Sequence, residues 1–113
     1  MENRRRFVRI PAALRFTLSW PGAFGLYRTV DLSAGGARVV HQVTGSPRPK
    51  AGTEGECAFV LDGVELRAMA VVVRERPDGF AVRFRGLTQA QDRRIVAWVI
   101  RQQAMALSRR IPA

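Results

Sequence analysis

The sequence predicts a mainly β protein, a six-stranded antiparallel barrel followed by one C-terminal α-helix. Through most of the chain, apolar and polar residues alternate with the period of two that a half-buried strand requires. Turn residues separate these short runs at the spacing that is typical of small barrels and sandwiches. In the last quarter the period lengthens to that of a helix. Closure of the strands into a barrel would leave no strand edge bare.

Each strand is predicted from its alternation and from the turns beside it. Leu14, Phe16 and Leu18 alternate with polar neighbours and form the first strand. Asp62-Gly63 lies between two apolar runs and is a strong hairpin signal, whereas the glycines and prolines of residues 44–53 predict a loop. The other five predicted strands are Leu26–Asp31, Ala37–His41, Glu56–Leu61, Glu65–Arg74 and Phe80–Phe84.

The last element is predicted to be a helix because no proline or glycine occurs from Leu87 to Ile111. Thr88 followed by Gln91 has the spacing of a capping box at the helix start. The apolar residues form a wide face that fits packing on the barrel or contact with a partner chain. This predicted face comprises Val96, Val99, Ile100 and Leu107, broadened by Ile95, Trp98 and Met105.

The chain is organised as one domain between two basic ends. Residues 1–13 are predicted to be a flexible basic segment, residues 14–107 a single barrel domain with its helix, and residues 108–113 a tail. A length of 113 residues leaves room for one compact unit, and a hydrophobic content of 47% argues against a disordered chain.

The charge of the chain is the first indication of its function. Nineteen Lys plus Arg against nine Asp plus Glu give a formal net charge of +10, and Lys50 is the only lysine. A guanidinium group presents a planar fork of donors that matches phosphates and guanine edges, whereas an ammonium group is a point charge. The composition therefore indicates an anionic partner.

Composition also excludes several classes of protein. The longest apolar runs, Ala68–Val73 and Ile95–Ile100, have six residues each, whereas a membrane span needs roughly 20. No N-terminal stretch resembles a signal peptide, so we expect a cytoplasmic protein without membrane insertion. Cys57 and His41 are the only residues of their types, which excludes an intramolecular disulfide and a cysteine-based zinc site. Because no catalytic set of side chains is present, we expect neither an enzyme nor a bound cofactor.

The first candidate binding segment is the run from Arg4 to Arg9. It carries four guanidinium groups in six residues, and the only nearby acid is Glu2. Mutual repulsion should keep this segment loose unless an anion joins it. Arg5 and Arg9 are four residues apart and could close on one ligand from both ends. A basic tail with no ligand is the alternative interpretation.

The second candidate segment is the turn from Asp31 to Gly36. An aspartate carboxylate at a strand end can accept two hydrogen bonds from the N1–H and N2–H₂ edge of guanine. Ser33 adds a small donor and acceptor. Glycine lets the backbone approach a ligand. A purely structural turn would use the same residue types. Together, the two segments complement an anionic guanine nucleotide.

At these residues the sequence resembles the PilZ domain family of receptors for the bacterial second messenger cyclic di-GMP. The family signature is R-R-x-x-x-R followed, some twenty or more residues later, by D/N-x-S-x-x-G. The resemblance extends over roughly Arg4 to Leu107 and implies a PilZ-type barrel with a C-terminal helix. The signature residues are Arg4, Arg5 and Arg9 in the first motif and Asp31, Ser33 and Gly36 in the second.

The resemblance also implies a role for each signature residue. Arg5 and Arg9 would clamp phosphates and the guanine Hoogsteen edge with Arg4 beside them, and Arg4 would fit the binding of an intercalated pair of messengers. Asp31 and Ser33 would hold a guanine from the barrel side. Gly36 would leave room for it.

The implied function is that of a non-catalytic receptor. Cyclic di-GMP would order the arginine segment against the barrel, and the receptor, as a monomer or homodimer, would signal to an effector protein. One alternative is a basic barrel that binds nucleic acid, although the aromatic residues fall mostly at core positions rather than on a stacking surface. The other is an adaptor that binds protein through its helix and never binds a nucleotide.

Overall fold

Alternating side chains build a closed β-barrel in this protein. The structure is a computed structural model that describes residues 8–42 and 45–110. Its strands are β1 (Ile10–Pro11), β2 (Arg15–Trp20), β3 (Ala23–Leu32), β4 (Gly36–His41), β5 (Glu54–Leu61), β6 (Val64–Arg76) and β7 (Gly79–Arg85), and its helix is α1 (Gln89–Arg110).

All strand pairs are antiparallel, and six of the strands form a closed ring. The ring runs β3-β2-β5-β6-β7-β4 and is closed by pairing of β4 with β3. The predicted six-stranded barrel with a C-terminal helix is therefore confirmed. A short seventh strand, β1, was not predicted because two residues, one of them proline, carry no periodicity. It pairs with the end of β3 that extends beyond β2.

The barrel interior is filled by aromatic and aliphatic side chains from the inward positions of the strands. Phe59 stacks between Phe16 and Phe84, with ring centroids 6.1 Å and 5.5 Å apart. Tyr27 is fully buried, and its hydroxyl donates to the carbonyl of Pro47 at 2.6 Å. Burial raises the pKa of Tyr27 to about 12.

The helix begins with the predicted capping box. The Thr88 hydroxyl accepts from the Gln91 amide at 3.1 Å, and the Gln91 side-chain oxygen accepts from the Thr88 amide at 3.0 Å. The buried stripe consists of Ile95, Trp98 and Val99, at the i, i+3, i+4 spacing of one helix face.

Only part of the predicted helix face packs on the barrel, and contact of the remaining part with a partner chain stays a prediction. Ile100, Met105 and Leu107 are exposed, because only one stripe of the helix can meet the barrel and these residues lie beside or beyond it. Within the described part of the chain, no helix is long and apolar enough to cross a membrane.

His41 lies against the buried rings of Tyr27 and Phe80, with centroids 5.7 Å and 6.3 Å away. Both of its ring nitrogens are buried without a hydrogen-bond partner among the described residues. Burial and the charge of Arg48 lower the pKa of His41 from its ordinary value of 6.5, and Asp78 opposes them. The neutral form of the ring is therefore favoured.

This neutral histidine predicts a pH dependence of stability. As pH falls below 6.5, the unfolded chain takes up a proton that the folded chain resists, so the free energy of unfolding should decrease. Urea unfolding at pH 7.5 and pH 5 measures the decrease, and it should be smaller in His41→Phe. The same decrease in both proteins would assign the effect to other groups.

Candidate functional site

A row of outward-facing residues crosses four neighbouring strands of the barrel. Asp31 on β3 lies opposite Arg38 on β4, which lies opposite Ala81 on β7, which in turn lies opposite Arg74 on β6. Residues directly opposite one another in a sheet have their side chains on the same face. Two arginines and one aspartate therefore share a small area around the methyl group of Ala81.

Two β-bulges turn the charged residues of this row outward. The register shifts between Thr29 and Asp31 in β3 and between Val72 and Arg74 in β6. Thr29 and Val72 are buried, so uninterrupted alternation would bury Asp31 and Arg74 as well. The one extra residue in each strand reverses the facing of the residues that follow, which is how bulges commonly aim side chains beside functional sites.

The N-terminal segment is attached to β3 next to Asp31. Pro11 of β1 pairs with Asp31, and the amide of Ala12 donates to the carbonyl of Val30 at 3.0 Å. The buried hydroxyl of Thr29 donates to the carbonyl of Ala12 at 2.5 Å and accepts from the amide of Leu14 at 2.8 Å. These contacts fix the backbone immediately after Arg9.

Because the backbone after Arg9 is fixed beside Asp31, the two side chains form an ion pair. Its Nη1 lies 2.7 Å from Oδ1 of the carboxylate. The Arg9 side chain is 53% exposed and that of Asp31 is 21% exposed. An exposed pair of this kind contributes at most about 1 kcal/mol, so it holds Arg9 in place without preventing exchange for a ligand.

The row and the N-terminal segment together surround a cavity of about 560 Å³. Of the described residues, four guanidinium groups and one carboxylate line it, with a net charge of +3. The bulge residue Val73 and the small Ala81 provide its apolar surface. The charged residues lining the cavity are Arg9, Asp31, Arg38, Arg74 and Arg76. The cavity is suited to an anion that also has an apolar part.

Ser33 uses its hydroxyl within the turn between β3 and β4. The residue is 3% exposed, and its oxygen accepts from the amides of Gly35 at 3.1 Å and Gly36 at 3.3 Å. The hydroxyl also has the carbonyl of Gly36 as an acceptor at 3.4 Å. Ser33 thus shapes the turn in this structure, and its predicted contact with a ligand stays a prediction.

Gly36 is required by the neighbouring strand. A Cβ atom at this position would lie 2.1 Å from the carbonyl oxygen of Val82 on β7, far inside the van der Waals limit. The absence of a side chain therefore lets β4 and β7 pair at Gly36 and Arg83. The predicted role of Gly36, room for a ligand, is not needed to explain the glycine.

The structure brings together the predicted residues Arg9 and Asp31 and places Ser33 and Gly36 in the adjoining turn. Arg4 and Arg5 lie outside the described residues.

Sequence reasoning did not identify the strand arginines that line the same cavity. The outward position of Arg38 was readable from its place between two buried neighbours, but the bulge hid that of Arg74. The residues missed are Arg38, Arg74 and Arg76.

Comparison with known proteins gives one family. A family model described as the PilZ domain matches residues 3–101. The solved PilZ domain of CeSA from a cellulose synthesizing bacterium has a TM-score of 0.67 and 23% sequence identity, and the match covers 85% of this chain and 98% of that one. The Bacillus subtilis inhibitor of motility, MotI/DgrA, has a TM-score of 0.78 and 21% identity over 98% of this chain. This chain spans only 55% of the MotI/DgrA chain. No curated protein matches the sequence.

The Thr29 hydroxyl predicts a specific sensitivity to substitution. Thr29→Val keeps the shape of the side chain but leaves the Ala12 carbonyl and the Leu14 amide without this partner. We expect a loss of roughly 1 to 3 kcal/mol in the free energy of unfolding, measured by urea denaturation. Thr29→Ser keeps the hydroxyl and should lose much less. Equal losses in the two variants would assign the effect to packing.

The close approach of β7 predicts that Gly36→Ala destabilises the fold even without a ligand. The added methyl group must displace the Val82 backbone, which costs roughly 1 to 3 kcal/mol. Thermal unfolding of the purified variant measures this cost. If the variant unfolds at the wild-type temperature, β4 and β7 tolerate the methyl group and the glycine has another purpose.

Proposed function

Since the chain belongs to the PilZ domain family, a family of cyclic di-GMP receptors, we propose that it is a non-catalytic receptor for cyclic di-GMP. The observation that carries the proposal is the Arg9–Asp31 ion pair at the edge of the arginine-lined cavity. In this ion pair, a signature residue of the first motif contacts a signature residue of the second. The ligand has two phosphodiester groups and two guanine bases, and the cavity presents groups of both matching kinds.

In the proposal, Asp31 binds the guanine edge. Arg9 contacts only Oδ1 of the carboxylate, and Oδ2 has no partner among the described residues. A carboxylate can accept about four hydrogen bonds, so guanine N1–H and N2–H₂ can bind while Arg9 stays nearby. A carboxylate offers no donor, so adenine, which presents an acceptor at N1, is disfavoured.

Arg9, with Arg4 and Arg5, would bind the phosphates and the guanine Hoogsteen edge. The ligand would thereby fix the arginine segment against the barrel. Ordering a residue costs about 1 to 2 kcal/mol, and each hydrogen bond to a charged group contributes about 1.5 to 3 kcal/mol, so a few such bonds offset the cost. β1 already attaches the chain next to Asp31, so the residues that follow Arg9 are ordered without a ligand. The ligand would have to order only the residues up to Arg9.

The ordered segment would form a new surface on the barrel, and an effector protein would read this surface. Binding of the ligand shifts the protein toward the closed arrangement by its difference in affinity for the two arrangements. No chemical step is required for this response.

Isothermal titration calorimetry with cyclic di-GMP, cyclic di-AMP and GTP tests the proposal. We expect binding of cyclic di-GMP and much weaker binding of the other two. Arg9→Ala and Asp31→Ala should each weaken binding by about tenfold to a hundredfold, as expected for loss of a charge-assisted hydrogen bond. Arg85→Ala and Glu54→Ala are matched controls, because they break an exposed ion pair away from the cavity.

Two results would contradict the proposal. Unchanged binding in the Arg9 and Asp31 variants would remove the assigned site. Salt-sensitive binding of long nucleic acid with no preference for cyclic di-GMP would favour the nucleic-acid alternative.

A further inference from the structure

We propose that the barrel wall carries a phosphate-binding subsite of its own, formed by Arg38, Arg74 and Arg76. This inference rests on the proposed function, since the phosphate is taken to be a phosphodiester of the cyclic dinucleotide. None of the three residues lies in the two signature motifs.

The first argument is position. Arg38 and Arg74 are separated by one strand, and Ala81 lies between them in the row. Neighbouring strands are about 4.8 Å apart, so the two Cα atoms are roughly 10 Å apart across the methyl group of Ala81. Two arginine side chains at this separation can converge on one phosphate group above the alanine. A larger residue than Ala81 would fill this space.

The second argument is the lack of acidic partners. Among the described residues, Arg74 and Arg76 form no ion pair, and Arg38 approaches only Asp78, at the long distance of 3.4 Å. Two other exposed arginines on these strands do have carboxylate partners at shorter distances. They are Arg67, 2.8 Å from Glu65, and Arg85, paired with Glu54. Within the described part of the chain, Arg74 and Arg76 are thus left without a neutralising carboxylate, and Arg38 has only a distant one.

The third argument concerns unused hydrogen-bond donors. The Nε atoms of Arg38 and Arg76 are buried and have no acceptor within the described part of the chain. Buried donors without acceptors are rare in native proteins, and each one costs free energy. A small rotation of either side chain toward a bound phosphate would supply an acceptor for Nε and for the terminal nitrogens together, which is the bidentate geometry that guanidinium favours.

The apolar surface beside these arginines indicates a nucleotide rather than a bare phosphate ion. Val73 is 47% exposed at the bulge of β6, next to Arg74 and Ala81 in the cavity lining. An inorganic phosphate would leave this surface in water. A nucleotide can cover it with a base or sugar while its phosphate binds the arginines.

The subsite has a consequence for selectivity. Because it contacts phosphate and not base edges, it should contribute affinity equally to any cyclic dinucleotide. Selection of guanine would then depend on the signature residues, Asp31 above all, and the two contributions can be separated by substitution.

Calorimetric titration with cyclic di-GMP and cyclic di-AMP, on the full chain, tests this inference. We expect Arg38→Ala, Arg74→Ala and Arg76→Ala each to weaken cyclic di-GMP binding about tenfold and to weaken cyclic di-AMP binding by the same factor. The preference for guanine should therefore persist in these variants and decrease in Asp31→Asn. Arg74→Lys should recover part of the affinity, since it keeps the charge but not the fork.

Arg67→Ala is the matched control, because it removes one arginine from the same strand, seven residues from Arg74 and outside the cavity. It should bind like the wild type, which excludes a general effect of net charge. Circular dichroism melting of each variant checks that the fold is retained.

The possible failures are distinguishable. If the wild type binds and the three variants bind equally well, the subsite is wrong and the receptor function stands. If the variants change the preference between the two ligands, these arginines read bases and the phosphate assignment is wrong. If the wild type binds neither ligand, the receptor function and the subsite are both wrong.

Discussion

The bulge in β3 is the feature on which the site depends. It allows Thr29 to face the interior and Asp31 to face outward, although the two residues are separated by only one position. Thr29 then holds the backbone of Ala12 and Leu14, and β1 pairs beside Asp31, so that Arg9 meets the carboxylate. A single extra residue in one strand therefore positions both halves of the site. Without it, the carboxylate would be buried and the arginine would have no partner on the surface.

The sequence predicted the closed barrel and the helix cap well because each rests on a local pattern. A strand with one buried face must alternate, and a capping box needs only the two residues Thr88 and Gln91. Bulges leave no such pattern. Strict alternation after Val72 would place Arg74 inside the barrel, so the part of the charged wall that β6 contributes could not be predicted. The strand β1 was missed for the related reason that it is set by the long end of β3 rather than by its own residues.

Two of the signature residues, Ser33 and Gly36, have structural roles that need no ligand. The buried hydroxyl of Ser33 holds its turn in shape. At position 36, glycine is the only residue type that allows β7 to approach β4. Both roles would be the same in a barrel that binds nothing. The charged residues are different, because neither Arg9 nor Asp31 is needed to fill the core or to complete a turn. The charged pair and the cavity around it are therefore the features that indicate binding.

The strength of the Arg9–Asp31 pair also matters for the proposed receptor, whose ligand would have to bind reversibly. A buried pair would resist exchange, because removal of one partner leaves an uncompensated charge, at a cost of about 3 to 5 kcal/mol. The observed pair is exposed enough for water and salt to screen it, so it contributes at most about 1 kcal/mol. In the proposed function, a ligand that offers a phosphate to Arg9 and a guanine edge to Asp31 would replace one weak contact with several stronger ones. The pair can thus preorganise the two side chains for the ligand without competing strongly against it.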